Sequence, residues 1–225
     1  MIPKIIHQTG PNSEKWHPIW KECQKSWKDK FPDFEYKFWT DEDIRKLVKE
    51  KYSEFLDLYD NFPYHIMRVD FARFCILHSY GGIYADLDIY CYKNFYELLK
   101  RDLYVLESWR EWGEKVQNSL MVSSPNQEFW EKCMHSSSKV FYLKNNCHNH
   151  IDYILSVCGP KLISSILDSS VKFLPKEIFN PKLENQFNWG KSDESKYQNA
   201  LNDFEYQREN ETNVMTRHYL TGNWN

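Results

Sequence analysis

Apolar residues in this chain recur at two periods. Short runs closed by turn residues are separated by stretches in which large apolar groups return every three or four positions, a succession that predicts an α/β domain. Residues 2–8 read as an opening strand that stops at Thr9-Gly10-Pro11-Asn12, and α/β folds place ligands at such strand ends. Ile19, Trp20, Cys23 and Trp27 mark a first crossover helix over 18–30, closed by Phe31-Pro32. A second strand follows over 34–39. Thr40 then precedes Asp41, Glu42 and Asp43, an N-cap with an acidic first turn that opens a helix over 41–51. A short helix over 53–59 leads to Asn61-Phe62-Pro63. Farther on, the pattern predicts a short helix over 95–100, strands over 103–106 and 119–122, and a helix over 127–137. Helical stretches within 148–167 break at Gly159-Pro160, and a last core strand covers 171–174. Segment 182–213 is polar with few apolar anchors and admits three readings: a long surface loop, a helical excursion over the site, or a partly disordered stretch.

Residues 64–90 stand apart. The helix over 64–80 carries Ile66, Met67, Val69, Phe71, Ala72, Phe74, Cys75, Ile76 and Leu77 around nearly its whole circumference, so it is buried on most sides. Asp70 and Arg73, at i and i+3, share one face of it. Charges in such a place are costly unless paired or used, and a structural ion pair and a functional pair both meet that condition. Gly81-Gly82 ends the helix and a strand over 83–85 follows at once, which keeps Asp70 and Arg73 close to Asp86 and Asp88. In an extended segment Asp86 and Asp88 project to the same side, so the D-x-D can hold a divalent cation directly or through water. A lone D-x-D recurs by chance. Its placement after an apolar strand, beside charges on a buried helix, gives it weight.

Composition narrows the classes. With 225 residues and no dividing linker, the chain reads as one domain. The 17% aromatic content, including nine Trp, supplies a core and also suits stacking on sugars or bases. A net charge of −3 with Lys and Glu interleaved offers no basic stripe for nucleic acid or an anionic membrane. Six cysteines without a C-x-x-C pair fit reduced, buried thiols. No run approaches about 18 apolar residues, and the opening MIPKII is too short for a signal segment, so a soluble, cytoplasmic protein is expected, with peripheral membrane association left open. Cys147-His148-Asn149-His150 lacks a second ligand pair at a zinc spacing and reads as a polar loop opening a helix.

Several motifs in order carry a resemblance: IPKIIHQT at the start, VDFARF followed by YGGIYADLD, Asn118-Ser119 leading to SPNQEF, CGP at 158–160, and a closing His218 and Trp224. Together they resemble the DXD-containing retaining glycosyltransferases, the family of the fungal initiating α-1,6-mannosyltransferase and the animal α-1,4-galactosyltransferase, more distantly similar to the clostridial glucosylating toxins. The resemblance implies a GT-A fold, a Rossmann-like α/β arrangement with a mixed central sheet flanked by helices. Residues 1–125 would form the nucleotide-sugar core, and 126–225 the acceptor side with a closing tail. It also implies a UDP- or GDP-sugar donor, Mn²⁺ or Mg²⁺, and a glycan, glycolipid or glycoprotein acceptor, with a hexose or N-acetylhexosamine transferred.

Carried over by motif, His7, Gln8 and Thr9 would line the nucleotide, with Gly82 and Tyr84 beside the donor. Asp70 and Arg73 would bond donor sugar hydroxyls. Asp86 and Asp88 would serve ribose and metal, with His218 completing the metal shell, and Asn223 and Trp224 would close over the diphosphate. Asn118 would steady the oxocarbenium-like centre. Gly10 stands where many members carry Trp, which leaves UDP against GDP open. The resemblance also implies front-face attack without a protein base, and a tail over 217–224 that orders only when metal and nucleotide are both bound. Acceptor choice would rest on segments 109–117 and 182–213. Two alternatives remain: a haloacid-dehalogenase-type phosphatase, for which no late acidic pair is found, and a catalytically silent nucleotide-sugar-binding module.

Overall fold

The computed structural model describes residues 1–11, 14, 16–109, 114–143, 149–182, 193–210 and 212–219. Its centre is a six-stranded mixed sheet built from β1 (Ile5–Thr9), β2 (Glu35–Trp39), β3 (Gly82–Ala85), β5 (Leu103–Glu107), β6 (Val116–Ser123) and β7 (Lys172–Leu174), in the order β2-β1-β3-β6-β5-β7. β1 runs parallel to β2 and β3, and β7 parallel to β5. β6 is antiparallel to both of its neighbours. A separate two-stranded ladder joins β4 (Ile89–Cys91) to β8 (Thr216–His218).

The pleat sends alternate residues to two cores. Tyr84, Val105 and Met121 face one packed by α2 (Asp41–Lys51), α3 (Leu56–Asp60), α4 (His65–Tyr80), α5 (Glu128–Leu143), α6 (His150–Val157) and α7 (Pro160–Ile166). Ile6, Ile83, Leu106, Leu120 and Val122 face the other, closed by Trp27 and Phe31 of α1 (Pro18–Lys30) and its exit, by Phe95, and by Phe179 of α8 (Lys176–Phe179). Each such side chain, fully buried, contributes roughly 1.5–3 kcal/mol. A third, smaller cluster gathers Ile19, Trp20, Cys23, Leu87, Ala200 and Tyr219, the alanine coming from α9 (Asp193–Glu209).

Local chemistry sets the element ends. Thr40 and Asp43 form a reciprocal capping box on α2. Asn149 caps α6 through Asp152 N–H, so the described part of the 147–150 stretch is the helix opening. Gly81 and Gly82 adopt φ +62° and +90°, and a Cβ on Gly82 would sit 2.5 Å from Ile5 O. Only glycine permits a turn this tight between α4 and β3.

Several expectations are corrected. β6 begins at Val116 and α5 continues to Leu143, beyond the expected bounds. β7 is an edge strand with Lys172 and Phe173 exposed, not a core strand. Of the three readings of 182–213, residues 193–209 are helical. The five described cysteines, Cys23, Cys75, Cys91, Cys133 and Cys158, are free and buried; Cys147 and His148 lie outside the described residues. Among the described residues, no helix is long and apolar enough to cross a membrane.

Candidate active site

β3 delivers the chain into a turn at its carboxyl end. Asp86, Leu87 and Asp88 are not extended: Ile89 N–H donates to Asp86 O across 3.1 Å. The two carboxylates converge through that turn, and β8 brings His218 to meet them. One ligand atom from each of Asp86, Asp88 and His218 falls within 4.8 Å of the others. His218 Nε2 lies 3.0 Å from Asp88 Oδ1. Two things hold it there: the register pairs Ile89 with His218, and Tyr219 N–H donates to Asp88 O over 2.8 Å.

Behind the turn, α4 supplies the charge that balances it. Arg73 Nη2 lies 3.0 Å from Asp86 Oδ1, and its Nη1 lies 3.1 Å from Asp70 Oδ1. Nη1 also donates to Asn118 O, while Asn118 Nδ2 donates to Asp70 Oδ1. Asp70 and Arg73 are 3% and 4% exposed, so this is a buried ion pair whose Arg73 Nε alone is left without a partner. Burial still pushes the Asp70 carboxyl up to about 6 against the opposing Arg73 charge. Burial raises Asp86 too, with Arg73 opposing and Asp88 adding to it. For His218 burial favours the neutral ring, and the Asp88 carboxylate outweighs it, so its pKa is raised.

β1 forms the near wall. Thr9 Oγ1 and the Tyr84 hydroxyl lie 3.0 Å apart, and that hydroxyl donates to Asp86 Oδ1. Gln8 Nε2 donates to Asp86 O and its Oε1 accepts from the Tyr36 hydroxyl. His7 stands apart from this set. It is fully buried, its Nδ1 accepts from Trp39 Nε1, and its Nε2 donates to Gly81 O, so both ring nitrogens serve the glycine turn.

The donor set tests for a cation. Two carboxylates and an imidazole suit Mn²⁺ or Mg²⁺, the nitrogen tilting the balance toward Mn²⁺. Three buried polar atoms without a hydrogen-bond partner, His218 Nδ1, Arg73 Nε and Ser119 Oγ, belong to these same segments. Buried polar atoms are ordinarily satisfied, so their gathering here marks a place built for something polar. The residues present fit the group.

The structure thus brings Asp70, Arg73, Tyr84, Asp86, Asp88, Asn118, His218, Gln8 and Thr9 together, with Gly82 at the root of β3. Asn223 and Trp224 lie outside the described residues. Residues 216–218 pair with β4, while 220–224 lie outside the described residues, so ligand-dependent ordering of the tail is a matter for exchange measurements. Sequence reasoning missed Asp203, Tyr92 and Asn180, the last accepting the His218 N–H at 3.1 Å. An apolar spacing at Tyr197, Ala200 and Phe204 was the available signal for the helix that carries Asp203.

Comparison with known proteins agrees with this geometry. Residues 18–109 match the family described as a glycosyltransferase sugar-binding region containing a DXD motif. Inositol phosphoceramide mannosyltransferase 3 of Schizosaccharomyces pombe is 46% identical over 174 residues, covering 77% of this chain and 47% of that protein. This chain therefore spans about half the length of that curated relative. The PaToxG glycosyltransferase superposes with a TM-score of 0.57 at 14% identity, covering 73% of this chain and 68% of that one. The galactosyltransferase LgtC, solved with donor and acceptor sugar analogues, superposes with a TM-score of 0.52 at 13% identity, covering 97% of this chain and 87% of that one. At such identities the structures speak for the fold, which is the GT-A arrangement with its mixed sheet and flanking helices. By its motif-bearing region, its relatives and its fold together, the chain belongs to the DXD-containing glycosyltransferase family.

Proposed function

We propose that this chain is the transfer unit of a metal-dependent, retaining mannosyltransferase. It would move mannose from a nucleoside-diphosphate sugar to an inositol-phosphate lipid headgroup. The observation that carries the reading is the convergence of Asp86, Asp88 and His218 within 4.8 Å, backed by the matched Asp70 and Arg73 pair. The mannose and the acceptor class rest on the name of the inositol phosphoceramide mannosyltransferase that resembles this chain.

Asp86, Asp88 and His218 would hold Mn²⁺ or Mg²⁺, and a divalent cation supplies charge to offset the diphosphate as the glycosidic bond breaks. The rest falls to the chain itself. Arg73 presents a guanidinium that does not reorganise during reaction, because Asp70, Asp86 and Asn118 O already fix it. Its free Nε and the Ser119 hydroxyl are the buried groups left to bond a sugar hydroxyl. Thr9 and Tyr84 fix Asp86 from the β1 side, and Gln8 fixes the Asp86 backbone. Asn118, tied to Asp70, borders the anomeric centre. No protein base is assigned: in front-face attack the departing phosphate oxygen takes the acceptor's proton.

The test is incubation with GDP-mannose, UDP-glucose and UDP-galactose plus Mn²⁺ and an inositol phosphoceramide acceptor, following nucleoside diphosphate release and the mannosylated lipid. Release from GDP-mannose with an α-linked product is expected. Binding of nucleotide with no release from any donor would overturn the transfer reading and leave a silent module.

A further inference from the structure

His218 is the only one of the three converging groups that comes from far along the sequence, and its neighbours explain how it arrives. Along β8, side chains alternate, so Arg217 and Tyr219 share the side opposite His218. Both reach the same carboxylate on α9. Arg217 Nε lies 3.1 Å from Asp203 Oδ2, and the Tyr219 hydroxyl donates to the same oxygen. The Tyr92 hydroxyl donates to it as well at 2.8 Å, and Gln207 Nε2 donates to Oδ1 at 2.9 Å. Asp203 and Arg217 are 8% and 4% exposed, so an ionic hub is buried on the far side of the strand that presents His218, with Arg217 Nε held as a charge contact and not as an aligned hydrogen bond.

The same helix shares an apolar cluster with the D-x-D segment. Ala200 of α9 packs in the cluster that contains Leu87, the residue between Asp86 and Asp88. Phe204 stacks on Tyr90 at 4.0 Å and meets Tyr219 edge-on at 5.2 Å. α9 therefore meets β4, the strand that leaves the D-x-D turn, through an aromatic stack, and the His218 strand through a charge. A polar helix inserted just before the tail otherwise has no evident reason to bury a carboxylate.

We propose that Asp203 is a positioning residue: it sets His218 against Asp86 and Asp88 by holding Arg217 and Tyr219, so the donor set is preformed before metal or nucleotide arrives. The role in metal holding rests on the function proposed above, whereas the pinning of β8 does not. Residues that orient metal ligands typically cost 10–100-fold in affinity when changed.

Asp203→Asn and the milder Tyr219→Phe provide the test, with Mn²⁺ alone as the probe, followed by the loss of the free-ion resonance signal on binding. Amide exchange is read in parallel. Asp203→Asn is expected to weaken Mn²⁺ binding by about 10–100-fold, and Tyr219→Phe by less. Exchange over 216–219 should rise while β1 and β3 keep their protection. Wild-type affinity and wild-type exchange in Asp203→Asn overturn the proposal. Equal loss of protection in β1 and β3 also overturns it, since Asp203 then supports the fold at large. If Asp203→Asn does not fold, unchanged exchange over 216–219 in Tyr219→Phe overturns it and selective loss there upholds it. If the wild-type chain binds no Mn²⁺, the metal reading fails and exchange over 216–219 alone decides whether Asp203 pins the strand.

Discussion

His7 sits in the middle of β1 with Trp39 donating to its Nδ1 and its Nε2 donating to Gly81 O. Burial lowers its pKa to about 4. The unfolded ring titrates near 6.5, so above that pH both states are neutral and the contribution is fully present. Below it the unfolded chain takes up a proton the folded one refuses, and stability falls as pH drops from 6.5 toward 4. The loss amounts to roughly 3 kcal/mol over that window. Urea midpoints for the wild type and His7→Asn between pH 7 and 4.5 check this, the variant losing less across the window; parallel curves would contradict it. His7, which the motif sets among the nucleotide-lining residues, has both ring nitrogens engaged, by Trp39 and by Gly81 of the glycine turn that precedes the D-x-D. Motif position gave its neighbourhood. Only the strand's pleat, set against Trp39 and α4, gives its direction.

At the scale of elements, much was legible because local chemistry agreed with the fold. α1 and α2 keep their expected bounds, since Pro18, Phe31-Pro32 and the Thr40 cap punctuate them unambiguously. α4 was legible from its all-round apolarity, and its Asp70 and Arg73 from their cost. The Thr40 and Asp43 capping box lies on α2, away from the donor set, so Thr40→Ala should cost about 1 kcal/mol of stability and lower the melting temperature by about 2–4 °C. Nucleotide affinity should not change. Calorimetry with a nucleotide titration reads both, and a lost affinity would place α2 in the site. The D-x-D geometry was legible only in outcome: the carboxylates converge, but through a turn closed by Ile89 and not along an extended strand. β4 and β8 could not be read at all, because three-residue strands with mixed polarity carry no period and form only by meeting each other. α9 was obscured by charge; among its described side chains, burial follows a narrow stripe at Ala200, Asp203 and Gln207.

For the whole molecule, the sheet and the tail divide the work. The carboxyl ends of β1 and β3 and the start of β6 provide Thr9, Asp86 and Asn118, while α4 sets a buried counter-charge beneath them. β8, pinned by α9, closes the set with His218. On the proposed function, a chain with a net charge of −3 would attract a nucleoside diphosphate locally, through Arg73 and the cation that Asp86, Asp88 and His218 would hold. The account stands on that cation. Its most direct test is calorimetric titration of GDP into the wild-type chain and Asp88→Ala, with Mn²⁺ and with chelator. The account predicts binding that requires Mn²⁺ in the wild type and is lost in Asp88→Ala, whose melting stays cooperative. Equal GDP affinity with and without Mn²⁺, or undiminished Mn²⁺-dependent binding in Asp88→Ala, would contradict it.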